Sequence, residues 1–389
     1  MDTQTFALLM ADEGRGLLER VRGFGAGDEI ALATRLRKEF PAELVAAAMT
    51  QERLRQRGKA KFGDDAARMF FTAHGVEQST RVAVADHRAA RIAAAGIRTA
   101  VDLCCGIGGD ALALARAGVR VVAVDRDPLT CAVAAANAEA LGLAERVEVR
   151  CADVTEVELA GYDAAFLDPA RRTARGRVFD PEAYSPPLSF LDTLAAKVPC
   201  GAAKVAPGIP HEAIPSGMEA EWVSYAGDVK EAVLWWGEEL VEQPLRATLL
   251  PQAASLAAAT PRQAPHGPVG RYLYEPDGAV IRAHLVAEVA EEVGGVLVDE
   301  SIAYITADTL VPTPFAHAYR LTDVLPFNLK RLKALVRERN IGTLTVKKRG
   351  SAVTPEEVLK KVKPSGRTSA TVFLTRVDGA PTMLLGHPA

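Results

Sequence analysis

The run Val101-Asp-Leu-Cys-Cys-Gly-Ile-Gly-Gly-Asp110 constrains the fold of this chain more than any other segment. It reads as a short apolar strand that stops in a glycine-rich turn and opens a helix, DALALARAG. Glycines let the backbone approach a ligand closely, and a helix N-terminus leaves its first N–H groups free to donate. From Arg98 onward the alternation continues. The apolar runs TAVDLCC, VRVVAVD, VEVRCAD and DAAFLDP are separated by helical stretches such as PLTCAVAAANAEALG. Strands alternating with helices of that length make βαβ units and a parallel sheet. AAKVAP, EWVSYAG, AVLWWG and RATLLP follow and read as a fifth strand and a terminal antiparallel pair. The predicted class is α/β with a doubly wound sheet.

Both flanks differ from this pattern. Residues 1–95 read as a helical region, with apolar positions three and four apart in Leu32, Leu36, Phe40 and in Val45, Met49. Pro41 suits the first turn of a helix through AELVAAAMTQERLRQ. Residues 251–269, rich in Ala, Pro and Gly without periodicity, read as a linker. Beyond it, 270–389 form a smaller α+β domain. Its expected elements are a helix in VIRAHLVAEVAEEVG, a strand in IAYITAD, a basic helix in PFNLKRLKALVRERN, and a strand–loop–helix–strand unit from IGTLTVKK to ATVFLTRV.

A length of 389 residues fits two or three domains. The five cysteines form no Cys-x-x-Cys pair, and the seven histidines are scattered, so neither a disulfide framework nor a metal site is expected. The N-terminus lacks a positive region before an apolar stretch, and no uncharged apolar run approaches the roughly 20 residues of a membrane span. The chain reads as a soluble cytoplasmic protein without membrane attachment. Its net charge of −3 means that any nucleic-acid binding must come from a local patch.

The glycine turn leaves two cofactors open. Gly106-Ile-Gly108-Gly109-Asp110-Ala111 also fits the dinucleotide pattern G-x-G-x-x-G/A, with Asp125 about 20 residues on. Acids at consecutive strand ends separate the readings. Asp102 lies on the strand before the glycines, where a carboxylate can meet the cationic amino-acid end of S-adenosylmethionine. Asp125 ends the second strand and is placed for both ribose hydroxyls. Asp153 follows the third strand and is placed for the adenine amino group. Asp168-Pro169-Ala170-Arg171 follows the fourth, where NAD enzymes have no standard need for Asp-Pro and many N-methyltransferases carry it. S-adenosyl-L-methionine is the expected cofactor, bound by Asp102, Cys104, Gly106, Gly108, Gly109, Asp110, Asp125, Arg126, Asp153 and Val154.

The run from Val101 to Arg172 resembles a class I S-adenosylmethionine-dependent methyltransferase. Its segments DLCCGIGGDALALA, VVAVDRDP, AAANAEALG and VEVRCADV are similar to trimethylguanosine synthase-like RNA methyltransferases. FFTAHGVEQST (70–80) and FLDPARR (166–172) resemble signatures of a bacterial group in which such a core precedes a THUMP-like C-terminal domain. The resemblance implies a Rossmann-like methyltransferase sheet over 96–250 and a THUMP-like, RNA-binding domain over 270–389.

Methyl transfer from a sulfonium is an in-line displacement, so the protein mainly aligns nucleophile and methyl group. For an exocyclic amine, the Asp168 carboxylate and a nearby carbonyl can each accept an N–H and turn the lone pair toward the methyl. Asp168 is therefore the expected catalytic residue, with Pro169 fixing the turn. N-methyltransferases of this type usually carry an aromatic residue where this chain has Arg171, whose guanidinium can stack on a base or pair with phosphate. Asp-Pro-Pro-Arg also occurs in RNA uracil-C5 methyltransferases, which use a cysteine nucleophile. Cys200 is the downstream candidate, and its place before the fifth strand favours a structural role. Phe71 and Thr72 are candidate substrate contacts in a segment that either walls the pocket or fills a helical core.

The C-terminal domain carries the charge asymmetry. Lys330, Arg331, Lys333, Arg337 and Arg339 lie opposite Leu329, Leu332, Leu335 and Val336 on one amphipathic helix. Lys347, Lys348 and Arg349 form a basic loop before the capping box of Thr354-Pro355-Glu356-Glu357. Such runs favour RNA contact over a merely solvated face, which makes those three further substrate candidates. The expected function is methylation of a base amine in tRNA or rRNA. The alternatives are a protein or small-molecule methyltransferase with a C-terminal interaction module, and an RNA-binding protein that keeps the fold as scaffold.

Overall fold

The computed structural model describes residues 1–25, 27–173, 176–177 and 180–389. The chain divides into two compact units, Met1–Glu219 with Ala232–Glu242, and Ala220–Glu231 with Gln243–Ala389.

The first unit starts with helices α1 (Thr3–Met10), α2 (Asp12–Arg20), α3 (Glu29–Leu36), α4 (Ala42–Phe62), α5 (Ala73–Gln78) and α6 (Val82–Ala94). Then come β1 (Thr99–Leu103), α7 (Gly109–Arg116), β2 (Arg120–Asp125), α8 (Pro128–Ala140), β3 (Val147–Cys151) and β4 (Ala164–Leu167). Two-residue strands β5 (Arg172–Thr173) and β6 (Gly176–Arg177) precede α9 (Phe190–Lys197) and β7 (Cys200–Val205). β7, β4, β1, β2 and β3 lie side by side in that order, all parallel. The order reverses between β1 and β4, which makes the carboxyl ends of these strands the expected ligand crevice. Two longer strands follow, β8 (Glu219–Tyr225) and β9 (Asp228–Trp236), and the end of β9 runs antiparallel to β7 from Ala232 to Trp236. Leu36, Val45 and Met49 are buried as the helical periodicity predicts, and Leu32 and Phe40 pack partly buried beside them.

Between α4 and α5 a short 3-10 helix, Gly63–Ala67, leads into an irregular stretch through the core, where side chains satisfy the backbone of Met69 to Phe71. Gln51 accepts from the Phe71 N–H at 2.7 Å and donates to the Phe71 carbonyl at 3.0 Å. Asn137 of α8 accepts from the Phe70 N–H at 2.6 Å and donates to the Phe70 carbonyl at 3.1 Å. Arg55 donates to the Met69 carbonyl at 2.9 Å. Buried main-chain groups need such partners, and no strand is available to supply them here.

In the second unit, β8 pairs in parallel with β10 (Leu245–Leu250), which pairs antiparallel with β11 (Ala254–Ala258). β11 lies within the stretch read as a linker. Its alanine-rich sequence lacks the β-branched and aromatic residues that signal a strand, and the pairing with β10 makes it one. β12 (Tyr272–Pro276), α10 (Gly278–Arg282), α11 (Val286–Glu292), β13 (Val296–Asp299), β14 (Ile302–Ala307) and β15 (Ala316–Pro326) follow. The single helix expected in VIRAHLVAEVAEEVG is two, broken at His284, whose φ is 58°. Last come α12 (Leu329–Glu338), β16 (Ile341–Lys348), α13 (Pro355–Val362), β17 (Thr368–Val377) and β18 (Ala380–Pro388). These strands order as β13-β14-β12-β15-β18-β17-β16, with β16 and β17 parallel across α13. The capping box forms: Thr354 accepts from the Glu357 N–H at 3.3 Å, and Glu357 accepts from the Thr354 N–H at 2.9 Å. No described helix is long and apolar enough to cross a membrane.

Candidate active site

Two cavities open at the carboxyl ends of the parallel strands and share Cys104, Asp125 and Ala170. The larger, about 410 Å³, is walled by α5 and the residues flanking it, the glycine turn, Asp168 to Arg171, and Lys204. The smaller, about 300 Å³, is lined by Arg126, Asp153, Val154, Thr155 and the segment Tyr184 to Pro187.

Local sequence explains the wall formed by α5. Thr72 caps that helix by accepting from the Gly75 N–H at 2.9 Å. A Cβ at Gly75 would run into Ile107 and the Thr72 hydroxyl, so only glycine lets α5 close on the turn. Lys61 of α4 holds the far end, donating to the carbonyls of Glu77 at 2.5 Å and Ser79 at 2.8 Å. Burial first, and then repulsion from Lys204 and Arg81, lowers the Lys61 ammonium to about 8. In the turn, Gly108 has φ 87° and caps α7, whose first residues Gly109 and Asp110 line the cavity. Asn137 donates to the Ile107 carbonyl at 3.0 Å, which ties this turn to the Phe70 backbone.

The acids differ in their surroundings. Asp125 accepts from the Gly106 and Asp127 N–H groups, both at 3.0 Å, and faces both cavities. Asp153 accepts through one oxygen from the Thr155 hydroxyl and N–H, which hold it below the usual carboxylate range. Asp153 lines the smaller cavity. Asp110 is buried and pairs with buried Arg88 at 2.7 Å. Burial opposes its ionisation, but Arg88 and Lys204 outweigh that and keep it below the usual range. Asp168 pairs with Lys204 at 2.5 Å. Lys204 also donates to the Thr80 hydroxyl at 2.9 Å, and that hydroxyl bonds Asp110.

Asp102 remains. It is 0% exposed, and neither oxygen has a well-formed hydrogen bond among the described residues, the Ala111 N–H being a poorly aligned donor. It does not line either cavity. Burial first, then Asp110 and Asp168, pushes its carboxyl well above the ordinary range. Beneath the larger cavity Asp110 pairs with Arg88 and Asp168 with Lys204, which leaves Asp102 without a cation of its own. That imbalance suits a ligand bringing positive charge. A carboxyl whose folded pKa lies above its unfolded value, about 3.9, destabilises the fold increasingly as pH rises between the two. Asp102→Asn is therefore expected to raise the melting temperature of ligand-free protein at pH 7 and to change it little near pH 4. Equal shifts at both pH values would contradict a buried Asp102 with a raised pKa.

Other site candidates divide. Cys104, Gly106, Gly109, Asp110, Pro169, Arg171 and Thr72 line the larger cavity, and Arg126 and Val154 the smaller. Gly108 shapes the turn without lining either. Phe71 is 0% exposed and packs on Phe62 and Gly58, which makes it core and not a substrate contact. Arg171 has one guanidinium nitrogen, Nη1, buried without a partner among the described residues. Lys347, Lys348 and Arg349 belong to the second unit. Lys347 pairs with Glu275 and Arg349 lies 4.6 Å over the Tyr304 ring, so of the three only Lys348 is exposed. Both side chains fold back because acceptors and aromatic faces of their own sheet lie within reach. Sequence reasoning missed Lys204 and Thr80. A lone lysine in the apolar run AAKVAP is the signal, since lysine is almost never fully buried unpaired.

A model of RNA cap guanine-N2 methyltransferases matches residues 97–190, and a THUMP domain-like model matches 316–388. A domain of unknown function matches 2–58. A Mycobacterium tuberculosis protein described as an uncharacterized S-adenosylmethionine-dependent methyltransferase is 31% identical over 335 residues, covering 83% of this chain and 90% of its own. The chain belongs to the S-adenosylmethionine-dependent methyltransferases. A crystal structure from Porphyromonas gingivalis W83, provisionally classed as a methyltransferase, shares the fold with a TM-score of 0.75 at 22% identity, covering 94% of this methyltransferase and 99% of that chain. A 23S rRNA (uracil-C5)-methyltransferase of Acidithiobacillus ferrooxidans is 35% identical over 80 residues, 19% of this chain and 18% of its own.

The residues present fit the cofactor. The uncompensated Asp102 and the excess of acid beneath the larger cavity suit its ammonium and sulfonium charges. Asp125, at the junction of the cavities, would hold the ribose, and Asp153, lining the smaller one, the adenine. When bound, S-adenosylmethionine supplies an electrophilic methyl group. The methyltransferase's own residues then have to orient the nucleophile, and Asp168 is a partly exposed carboxylate lining the larger cavity.

Proposed function

We propose that this methyltransferase modifies a base amine nitrogen in tRNA or rRNA. The observation that carries the reading is Asp168, a carboxylate held in an ion pair on the cavity wall, where an amine N–H can reach it. Methylation at pyrimidine C5 needs a thiolate nucleophile, and the cysteines argue against one. Cys200 opens β7 with its thiol donating to the Asp163 carbonyl at 3.3 Å, and burial pushes it up to about 11. Lys204, at the cavity, lies four residues farther along that strand, a rise of about 13 Å. Cys104 and Cys105 line the cavity, but burial and nearby carboxylates push both thiols far up.

Similarity to RNA cap guanine-N2 methyltransferases over the core, and to THUMP domains over 316–388, supports RNA as the substrate. In the second unit, exposed Lys330, Arg331 and Arg337 on α12 and Lys360 and Lys361 on α13 offer a basic face for phosphates. Bulk RNA from a strain lacking the gene should have lost one methylated nucleoside by mass spectrometry. An unchanged profile would overturn the RNA reading.

A further inference from the structure

We propose that Lys204 positions the transfer step, holding Asp168 with one oxygen turned to the acceptor amine and offering its own remaining N–H to the ring nitrogen beside that amine. The inference rests on the base-amine reading and narrows it to a two-point recognition of a base edge.

An ammonium has three N–H donors. Two are committed, to Thr80 at 2.9 Å and to Asp168 Oδ2 at 2.5 Å. The third N–H of Lys204, and Oδ1 of Asp168, have no partner among the described residues. Both side chains line the larger cavity, and Lys204 is 5% exposed. β7 is otherwise Cys, Gly, Ala, Ala and Val, buried throughout, so the lysine is the one cation of its strand. A buried ion pair is weak evidence of stability, because an apolar pair of similar volume often serves as well. Its placement is what distinguishes it. The hydrogen-bonded chain Arg88–Asp110–Thr80–Lys204–Asp168 joins the acids beneath the cavity to the residue that meets the substrate. Asp102 of β1, Lys61 of α4, Arg171, Asp125, Cys104, Cys105, and His74 and Glu77 of α5 are further charged or titratable groups around it.

An acceptor beside a donor matches an amino group next to a ring nitrogen. Adenine, cytosine and guanine each carry that pair, and uracil does not. In the step itself, the amine lone pair forms the N–C bond while the methyl–sulfur electrons leave with sulfur. One N–H proton then passes through Asp168 Oδ1 to solvent.

The test uses the full chain. With 15N-lysine labelling, Lys204 should give a slowly exchanging ammonium signal that is absent in Lys204→Met and exchanges at least tenfold faster in Asp168→Asn. With tritiated methyl donor and bulk RNA from the deletion strain, Lys204→Met should lower kcat about 100-fold, the scale of a lost positioning or proton-transfer group. KM for RNA and the affinity for S-adenosylhomocysteine should stay within about threefold, and Lys204→Arg should recover about tenfold of the loss. If Lys204→Met does not fold, Thr80→Val replaces it, with kcat expected down about tenfold. A folded Lys204→Met or Thr80→Val with kcat near wild type overturns the proposal, as does Lys204→Arg performing no better than Lys204→Met. If wild type methylates no RNA, the RNA reading falls separately. Lys204 is then judged on the ammonium signal, and unchanged exchange in Asp168→Asn overturns its assignment.

Discussion

Replacing Asp168 with alanine is expected to lower methyl transfer about 10³-fold while S-adenosylhomocysteine binding stays within about twofold. The asymmetry follows from where the carboxylate stands. Its side chain is 24% exposed on the wall of the larger cavity, whereas Asp125, where the two cavities meet, and Asp153, in the smaller one, are the acids that would contact ribose and adenine. Removing Asp168 takes away the N–H acceptor without touching those contacts. It also leaves the Lys204 ammonium buried with only Thr80, so Asp168→Asn, which keeps the shape, is the companion variant. Both should bind S-adenosylhomocysteine by calorimetry and both should fail in methyl transfer. Activity within tenfold of wild type would remove Asp168 from the reaction.

The second large effect concerns folding. Asn137→Ala is expected to cost about 3–5 kcal/mol, because three buried main-chain groups lose their partner at once and each unsatisfied group costs about 1–3 kcal/mol. Those groups are the N–H and carbonyl of Phe70 and the carbonyl of Ile107. Ile107 belongs to the glycine turn, so cofactor affinity should weaken with stability. A urea titration and a calorimetric titration measure the two. A loss under about 1 kcal/mol would mean that water or a shifted backbone replaces the amide.

The parallel sheet was legible because its strands and helices alternate with distinct periods. The glycine turn, Asp125, Asp153 and Asp168 could be placed on it from the sequence alone. Asp102 was legible as a strand residue but not as one sealed from the cavity, since burial depends on how α6 and α7 pack. Phe71 was open between core and pocket. Gln51 decides it by holding the Phe71 backbone from α4, a contact between residues 20 positions apart that no local pattern announces. β11 and the break at His284 were hidden for a related reason. Pairing and backbone angle override a weak or misleading composition there. Lys347 and Arg349 looked like solvent-facing charge because a charge run says nothing about which partners lie across a sheet.

Asn137 and Gln51 also bear on which lengths of this chain can exist by themselves. The strand-and-helix pattern begins near residue 97, and a fragment cut there would retain Asp102, Asp110, Asp125, Asp153 and Asp168. It would also strand the Asn137 amide inside the protein, uncover Ile107, and remove both Thr72 and the helix that Gly75 lets close. The N-terminal helices therefore serve as an interior scaffold of the catalytic body, and the smallest autonomous enzyme starts well before its first strand.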